Sequence, residues 1–244
     1  MVLAAAKTVL DLLFPPLCIG CRTPVADTGF CAGCWDKLTF LEGPACACCG
    51  LPFPVALDGD TLCAACLSRP PAFDRARAIM AYDENSRGAI LALKHADRLE
   101  LVPGFTRWLA RTGQSLIADS DVVVPVPLHR RRLWLRRYNQ SAELARRLAH
   151  DWKLHFDPFA LVRRRATLSQ GTMASAKARR RNVLGAFKVP DSGRVSGKRI
   201  LLLDDVLTTG ATAEACARAL KRAGARKVHV LALARVVKAS LVLI

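Results

Sequence analysis

Two rhythms of hydrophobic and polar positions run along the chain after residue 70. In RARAIMAYD, Arg75 to Asp83, and in DVVVPV, Asp121 to Val126, apolar residues crowd into strand-length runs. In SRGAILALKHA, opening at Ser86, and in LVPGFTRWLARTGQSLIA, Leu101 to Ala118, they recur at helical spacing. Tyr138 to Asp151 and Ala213 to Arg222 repeat the helical pattern, while Gly185 to Val189, Arg199 to Asp204 and Lys227 to Ala234 repeat the strand pattern. Strands alternating with helices predict an α/β fold with a mostly parallel sheet covered on both faces. Ligands of such sheets bind beyond the carboxyl ends of the strands. Upstream, Ser68-Arg-Pro-Pro-Ala72 breaks the pattern with two prolines that forbid helix. The chain is expected to divide there, into residues 1–70 and 71–244.

Composition sharpens that division. Of 244 residues, 52% are hydrophobic and 23% charged, enough apolar side chains for a proper core. The net charge of +17 is unevenly held: residues 1–70 carry a net −2, and residues 120–185 alone carry +11. Nine of the ten cysteines lie between Cys18 and Cys66, in the part without the positive charge. The opening MVLAAAKTVLDLLFPPLC is interrupted by Lys7 and Asp11, and no signal-peptide cleavage site follows it. No apolar run approaches the roughly 20 residues that span a bilayer. A cytoplasmic protein without membrane insertion is expected, in which clustered thiols stay reduced and act as metal ligands.

Those thiols form four Cys-x-x-Cys turns, at Cys18 and Cys21, Cys31 and Cys34, Cys46 and Cys49, and Cys63 and Cys66. Two intervening residues let one tight turn aim both sulfurs at a common point, and two such turns complete the tetrahedral shell of structural Zn²⁺. Pairing neighbours gives one site from Cys18, Cys21, Cys31 and Cys34 and another from Cys46, Cys49, Cys63 and Cys66. Crossed pairing between the halves is the other arrangement open to this spacing. Cys48 offers a second register within CACC, but Cys46 with Cys49 preserves the repeat. Four thiolates leave no open coordination position, so the ions should hold the module together and not activate water. Phe30, Trp35, Phe40 and Phe53 are expected to make its small core.

The densest chemistry follows the apolar run Ile200 to Leu203. Asp204 and Asp205 come next, and Thr208-Thr209-Gly210-Ala211-Thr212 leads into a helix. Backbone N–H groups and hydroxyls of such a loop wrap a phosphate, and Gly210 lets the backbone come close. The carboxylates repel phosphate, so they suit sugar hydroxyls or a hydrated Mg²⁺. A sugar with a phosphate at one end and vicinal hydroxyls near the other satisfies both.

The segment from Leu201 to Thr212 resembles the phosphoribosyl diphosphate (PRPP) signature of type I phosphoribosyltransferases. Together with the cysteine pairs, LKH at Leu93 to His95, VPVPLHRRRLWLRRYNQS at Val124 to Ser141 and SQGTMASAKARRRNV at Ser169 to Val183, the chain resembles the ComF family of competence-related proteins. That resemblance covers nearly the whole chain. It implies a type I phosphoribosyltransferase fold behind an N-terminal helix and double zinc ribbon. It also implies a role in natural transformation or in the use of imported DNA. By position it assigns Asp204 and Asp205 to the ribose hydroxyls and the Mg²⁺ environment, and Thr208, Thr209, Gly210, Ala211 and Thr212 to the 5′-phosphate. His129, Arg130 and Arg131 become candidates for the pyrophosphate. Thr167 to Arg181, with Lys177, Arg179, Arg180 and Arg181, becomes a loop that closes over substrate.

Two classes of function follow. One is a Mg²⁺-dependent phosphoribosyltransferase, which needs no covalent nucleophile, only a held pyrophosphate, a stabilised ring cation and exclusion of water. His95 and His129 are candidate bases toward an acceptor that the sequence does not name, and Arg235 can face the site or cap the sheet. The other class is a PRPP sensor or a single-stranded-DNA adaptor for a competence helicase. Trp134, Tyr138 and Trp152, interleaved with arginines, offer stacking surfaces for it.

Overall fold

A computed structural model describes residues 15–26, 29–57, 59–95, 98–167 and 175–237. Among them, five parallel strands form the main sheet: β1 (Arg75–Ala81), β2 (Val122–Pro125), β3 (His155–Phe156), β6 (Arg199–Leu207) and β7 (Lys227–Arg235), in the order β1-β7-β6-β2-β3. Ile200 to Leu203 of β6 have no exposed surface. A continuous apolar run belongs on such a strand, covered on both faces. One face packs under α9 (Ala211–Arg222), with Cys216, Ala217 and Leu220 buried. The other lies under α3 (Glu84–His95), α4 (Val102–Thr112), α5 (Gln114–Ala118) and α7 (Gln140–Asp151), through Ile90, Leu93, Phe105, Leu109 and Leu144. No helix among the described residues is long and apolar enough to cross a membrane.

Several predicted elements change length or partner. The helix expected at Ser86 begins at Glu84, because Asp83 Oδ1 accepts the N–H groups of Asn85 and Ser86 at 3.0 and 2.9 Å. Ser86 is buried and donates to Ala81 O at 2.7 Å. The helix expected from Leu101 to Ala118 breaks into α4 and α5 at Gly113, where a Cβ would come within 2.5 Å of Leu231. β6 continues three residues past Asp204. The strand expected at Gly185 to Val189 lies outside the main sheet. Its core, β5 (Phe187–Lys188), pairs antiparallel with β4 (Val162–Arg163) in a two-stranded ribbon.

Downstream of residue 70, two described α-helices carry no hydrophobic pattern that predicts them. Three consecutive arginines gave α6 (Arg130–Arg136) no apolar face to announce it. Within the expected loop Thr167 to Arg181, residues 168–174 lie outside the described residues, and Ala176–Val183 form α8, capped where Ser175 Oγ accepts from Ala178 N at 3.1 Å.

The cysteine module, with α1 (Ala32–Trp35) and α2 (Ala64–Ser68), lies along β1. Ala76 N donates to Cys48 O at 2.7 Å, Leu41 N to Ile79 O and Ala81 N to Thr39 O, both at 2.8 Å. Phe30, Trp35 and Phe40 do not form a private core. They gather around Trp108 of α4, with ring centroids 6.0, 5.1 and 6.3 Å from it. Phe53 alone packs with the buried second cysteine group.

Candidate functional site

The cysteines gather as neighbouring turns predicted. The sulfurs of Cys18, Cys21, Cys31 and Cys34 lie within 4.8 Å of one another, as do those of Cys46, Cys49, Cys63 and Cys66. Cys21 and Cys31 are 3.6 Å apart and Cys49 and Cys63 3.7 Å, close to the roughly 3.8 Å edge of a tetrahedron with Zn–S bonds of about 2.3 Å. Cys48 stands outside both groups, its sulfur 4.0 Å from Phe73 O, and burial pushes its thiol up to about 11. Hydrogen bonds from Thr23 bring Cys21 down to about 6, while Cys21 and burial push Cys34 up to about 12. Four crowded thiols cannot all ionise alone, and a divalent cation resolves that conflict. Both groups fit structural zinc.

At the carboxyl end of β6, Asp204 and Asp205 are both buried, at 8% and 9% exposure. Asp204 Oδ1 accepts from the Asp205 N–H at 2.9 Å. Asp205 Oδ2 accepts from Gln140 Nε2 at 2.7 Å and meets Lys94 Nζ at 3.1 Å. Burial, then the charge of Asp205, push Asp204 up to about 7. Asp205 is buried too, but Lys94 and Gln140 hold it below the ordinary carboxylate value.

Residues 208–210 bend directly from the strand into α9, and Gly210 takes φ +72° at the helix start. Ala211 is buried and Thr208, Thr209 and Thr212 are half-buried. The Thr209 hydroxyl is buried without a hydrogen-bond partner, beside helix N–H groups that lack intrahelical acceptors.

β2 lies next to β6, and Val126 N donates to Leu203 O at 2.9 Å, so the chain after Val126 leaves the sheet beside the carboxylates. His129 caps α6 there, its Nδ1 accepting from Arg131 N at 3.3 Å, with Arg130 and Arg131 exposed. Lys177 and Arg179 ride on α8, which packs against α9. The structure thus brings Asp204, Asp205 and 208–212 into one continuous device, while residues 129–131 follow the end of the neighbouring strand β2 at the start of α6. The His95 side chain lies outside the described residues. Arg235 donates to Cys49 O of the cysteine module.

Three residues at the site were not singled out for it: Lys94, Gln140 and Arg163. The first two belonged to the LKH and YNQS segments, where no local pattern reveals a carboxylate 65 residues from Gln140. Arg163, read as surface charge, lies 5.3 Å from the Phe187 ring centroid and hydrogen-bonds Thr167 Oγ1. Its charge acts on Asp204.

Residues 9–67 match the double zinc ribbon domain and residues 139–240 the phosphoribosyl transferase domain. The chain is 36% identical over 234 residues to DNA utilization protein YhgH of Escherichia coli (strain K12), covering 92% of this chain and 99% of that one. It is 29% identical over 230 residues to Competence protein F of Haemophilus influenzae, covering 89% and 96%. Among solved structures, orotate phosphoribosyltransferase from Aeropyrum pernix aligns with 65% of this chain and 68% of its own, at 19% identity and a TM-score of 0.35. With two four-cysteine groups on the edge of a parallel sheet, and an Asp-Asp strand end running into a Thr-Thr-Gly turn, the chain belongs to the ComF family, which joins a double zinc ribbon to a phosphoribosyltransferase domain.

Proposed function

We propose that the carboxyl end of β6, with the turn that follows it, binds PRPP together with Mg²⁺ and transfers, or holds, its phosphoribosyl group. The observation that carries this reading is the continuity of buried Asp204 and Asp205 with a turn that encloses an unpartnered Thr209 hydroxyl. Vicinal ribose hydroxyls would donate to the two carboxylates. The 5′-phosphate would accept from the first N–H groups of α9 and from Thr208, Thr209 and Thr212. His129, Arg130 and Arg131, with Lys177 and Arg179, would face the pyrophosphate. Mg²⁺, when bound, offsets the diphosphate charge next to the carboxylates. In transfer, the C1′–O bond breaks with its electron pair leaving on pyrophosphate, and C1′ bonds to an acceptor nucleophile that gives up its proton. Cationic side chains receive the departing charge, and the carboxylates stabilise the ring cation. In this reading residues 1–70 are the zinc module and 71–244 the transferase domain, in a cytoplasmic protein serving DNA utilization or competence, as its relatives' names describe.

Thermal unfolding with and without Mg²⁺ and PRPP tests the site. Stabilisation of the native chain that disappears in Asp204→Asn/Asp205→Asn is expected, and an unchanged shift in that variant would sink the assignment.

A second reading has its own observation. Trp134 on α6 is 83% exposed. It lines a surface cavity of about 780 Å³ with Arg130, Leu133, Leu135 and Arg137. A bare indole among guanidiniums suits a base and its phosphate, which favours single-stranded DNA, delivered to or from a helicase partner, as a second ligand.

A further inference from the structure

The two cysteine groups are embedded differently. In the first only Cys18 is buried, whereas in the second Cys46, Cys63 and Cys66 are all buried. The second also receives two arginines from the main sheet. Arg77 of β1 donates through Nη1 to Cys46 O at 3.4 Å, Ala47 O at 3.2 Å and Ala76 O at 2.8 Å. Arg235, the last residue of β7, donates through Nη1 to Cys49 O. Four thiolates around one Zn²⁺ carry a net charge of about −2, so two guanidiniums lodged against their carbonyls are matched in charge to the loaded site.

Arg235 also has a place in the sheet. It pairs in register with Ala81 of β1 on one side and Leu207 of β6 on the other. Its carbonyl accepts from Tyr82 N at 2.7 Å, and the next residue, Val236, donates to Leu207 O at 2.9 Å. Leu207 immediately precedes Thr208. A path of direct contacts therefore runs from Cys49 through Arg235 and Leu207 to the turn that opens α9.

We propose that Arg235 is a positioning residue tying the second cysteine group to the 208–212 turn, so that zinc at Cys46, Cys49, Cys63 and Cys66 and a phosphate at the turn favour each other. The coupling rests on the reading that PRPP occupies that turn. By linkage it is reciprocal: whatever factor zinc adds to PRPP affinity, PRPP adds to zinc affinity.

The test uses the zinc-loaded full chain and times zinc release to a chromogenic chelator. Cys21→Ser removes a ligand of the first group, so that the remaining release reports the second; in the native chain the slower phase serves the same purpose. Saturating PRPP with Mg²⁺ is expected to slow this release about fivefold. Arg235→Gln should speed it, weaken PRPP binding by a similar factor and cancel the effect of PRPP on release, with Arg235→Lys intermediate. A merely structural arginine would not cancel that mutual effect. PRPP binding that leaves native zinc release unchanged overturns the coupling alone. A native chain whose unfolding ignores PRPP overturns the coupling together with the PRPP reading.

Discussion

Lys94 Nζ stands 3.1 Å from Asp205 Oδ2, joining the last turn of the first sheet-covering helix to the end of the central strand. The two side chains are only 17% and 12% exposed. The ion pair therefore sits in a medium that screens it weakly.

Removing this cation should cost the apo protein stability. Lys94→Met is expected to lose about 2 kcal/mol at pH 7 by urea unfolding, and Lys94→Arg much less. Asp205 is held below its ordinary value in the fold. Its contribution is thus present above the unfolded carboxylate range and fades as pH falls through the depressed native value. The penalty of Lys94→Met should shrink accordingly below about pH 4.

Asp204 behaves in the opposite sense. Its carboxyl is pushed up to about 7 in the fold, so the native state holds a proton that the unfolded chain releases near pH 4. Stability is then lost as pH rises from about 4 to 7. Asp204→Asn should stabilise the apo protein at pH 8, by up to about 4 kcal/mol, and change little at pH 4. An equal gain at both pH values would contradict the buried-charge origin. The same variant should fail to respond to PRPP.

Two glycines with positive φ should differ in cost when given a side chain. Gly210, φ +72°, has open space where a Cβ would stand. Gly210→Ala should cost only the conformational penalty of about 1–2 kcal/mol, while weakening PRPP through the altered turn. Gly50, φ +68°, would place a Cβ 2.4 Å from the Ala76 carbonyl oxygen. Gly50→Ala adds a backbone clash and should cost about 3 kcal/mol. Comparison of the two unfolding midpoints decides the ranking.

Trp134→Ala should leave thermal stability within about 0.5 kcal/mol of the native chain, since the indole is 83% exposed. If single-stranded DNA stacks there, its affinity should fall about tenfold. Arg130→Ala should instead flatten the salt dependence of binding. Unchanged oligonucleotide titrations in both variants would remove this surface from the DNA reading.

The legible parts of this molecule were local ones. Ile200 to Leu203, Asp204, Asp205 and Thr208 to Thr212 are adjacent in sequence, so strand, acid pair and turn could be read as one unit. The cysteine turns were legible for the same reason, because each Cys-x-x-Cys closes on itself. Lys94 and Gln140 reach Asp205, and the charge of Arg163 acts on Asp204, only through packing of distant elements. Their neighbours in sequence gave no sign of it. Trp108 likewise looked like one apolar position of a helix, yet it receives Phe30, Trp35 and Phe40 from the cysteine module. The helix Arg130–Arg136 was hidden because its apolar residues, Leu133, Trp134 and Leu135, are consecutive and exposed, and so lack a buried stripe.

The hydrogen bonds that join Thr39, Leu41 and Cys48 to β1 have a consequence beyond holding a module in place. β1 is the outermost long strand, and an uncovered strand at a sheet margin is a template for pairing with other chains. The cysteine module occupies that margin, while the opposite margin is only the two-residue β3. A chain stripped of its metal is expected to present Ala76 to Ala81 to its neighbours and self-associate, even with Asp204 and Asp205 intact, which light scattering after chelation checks.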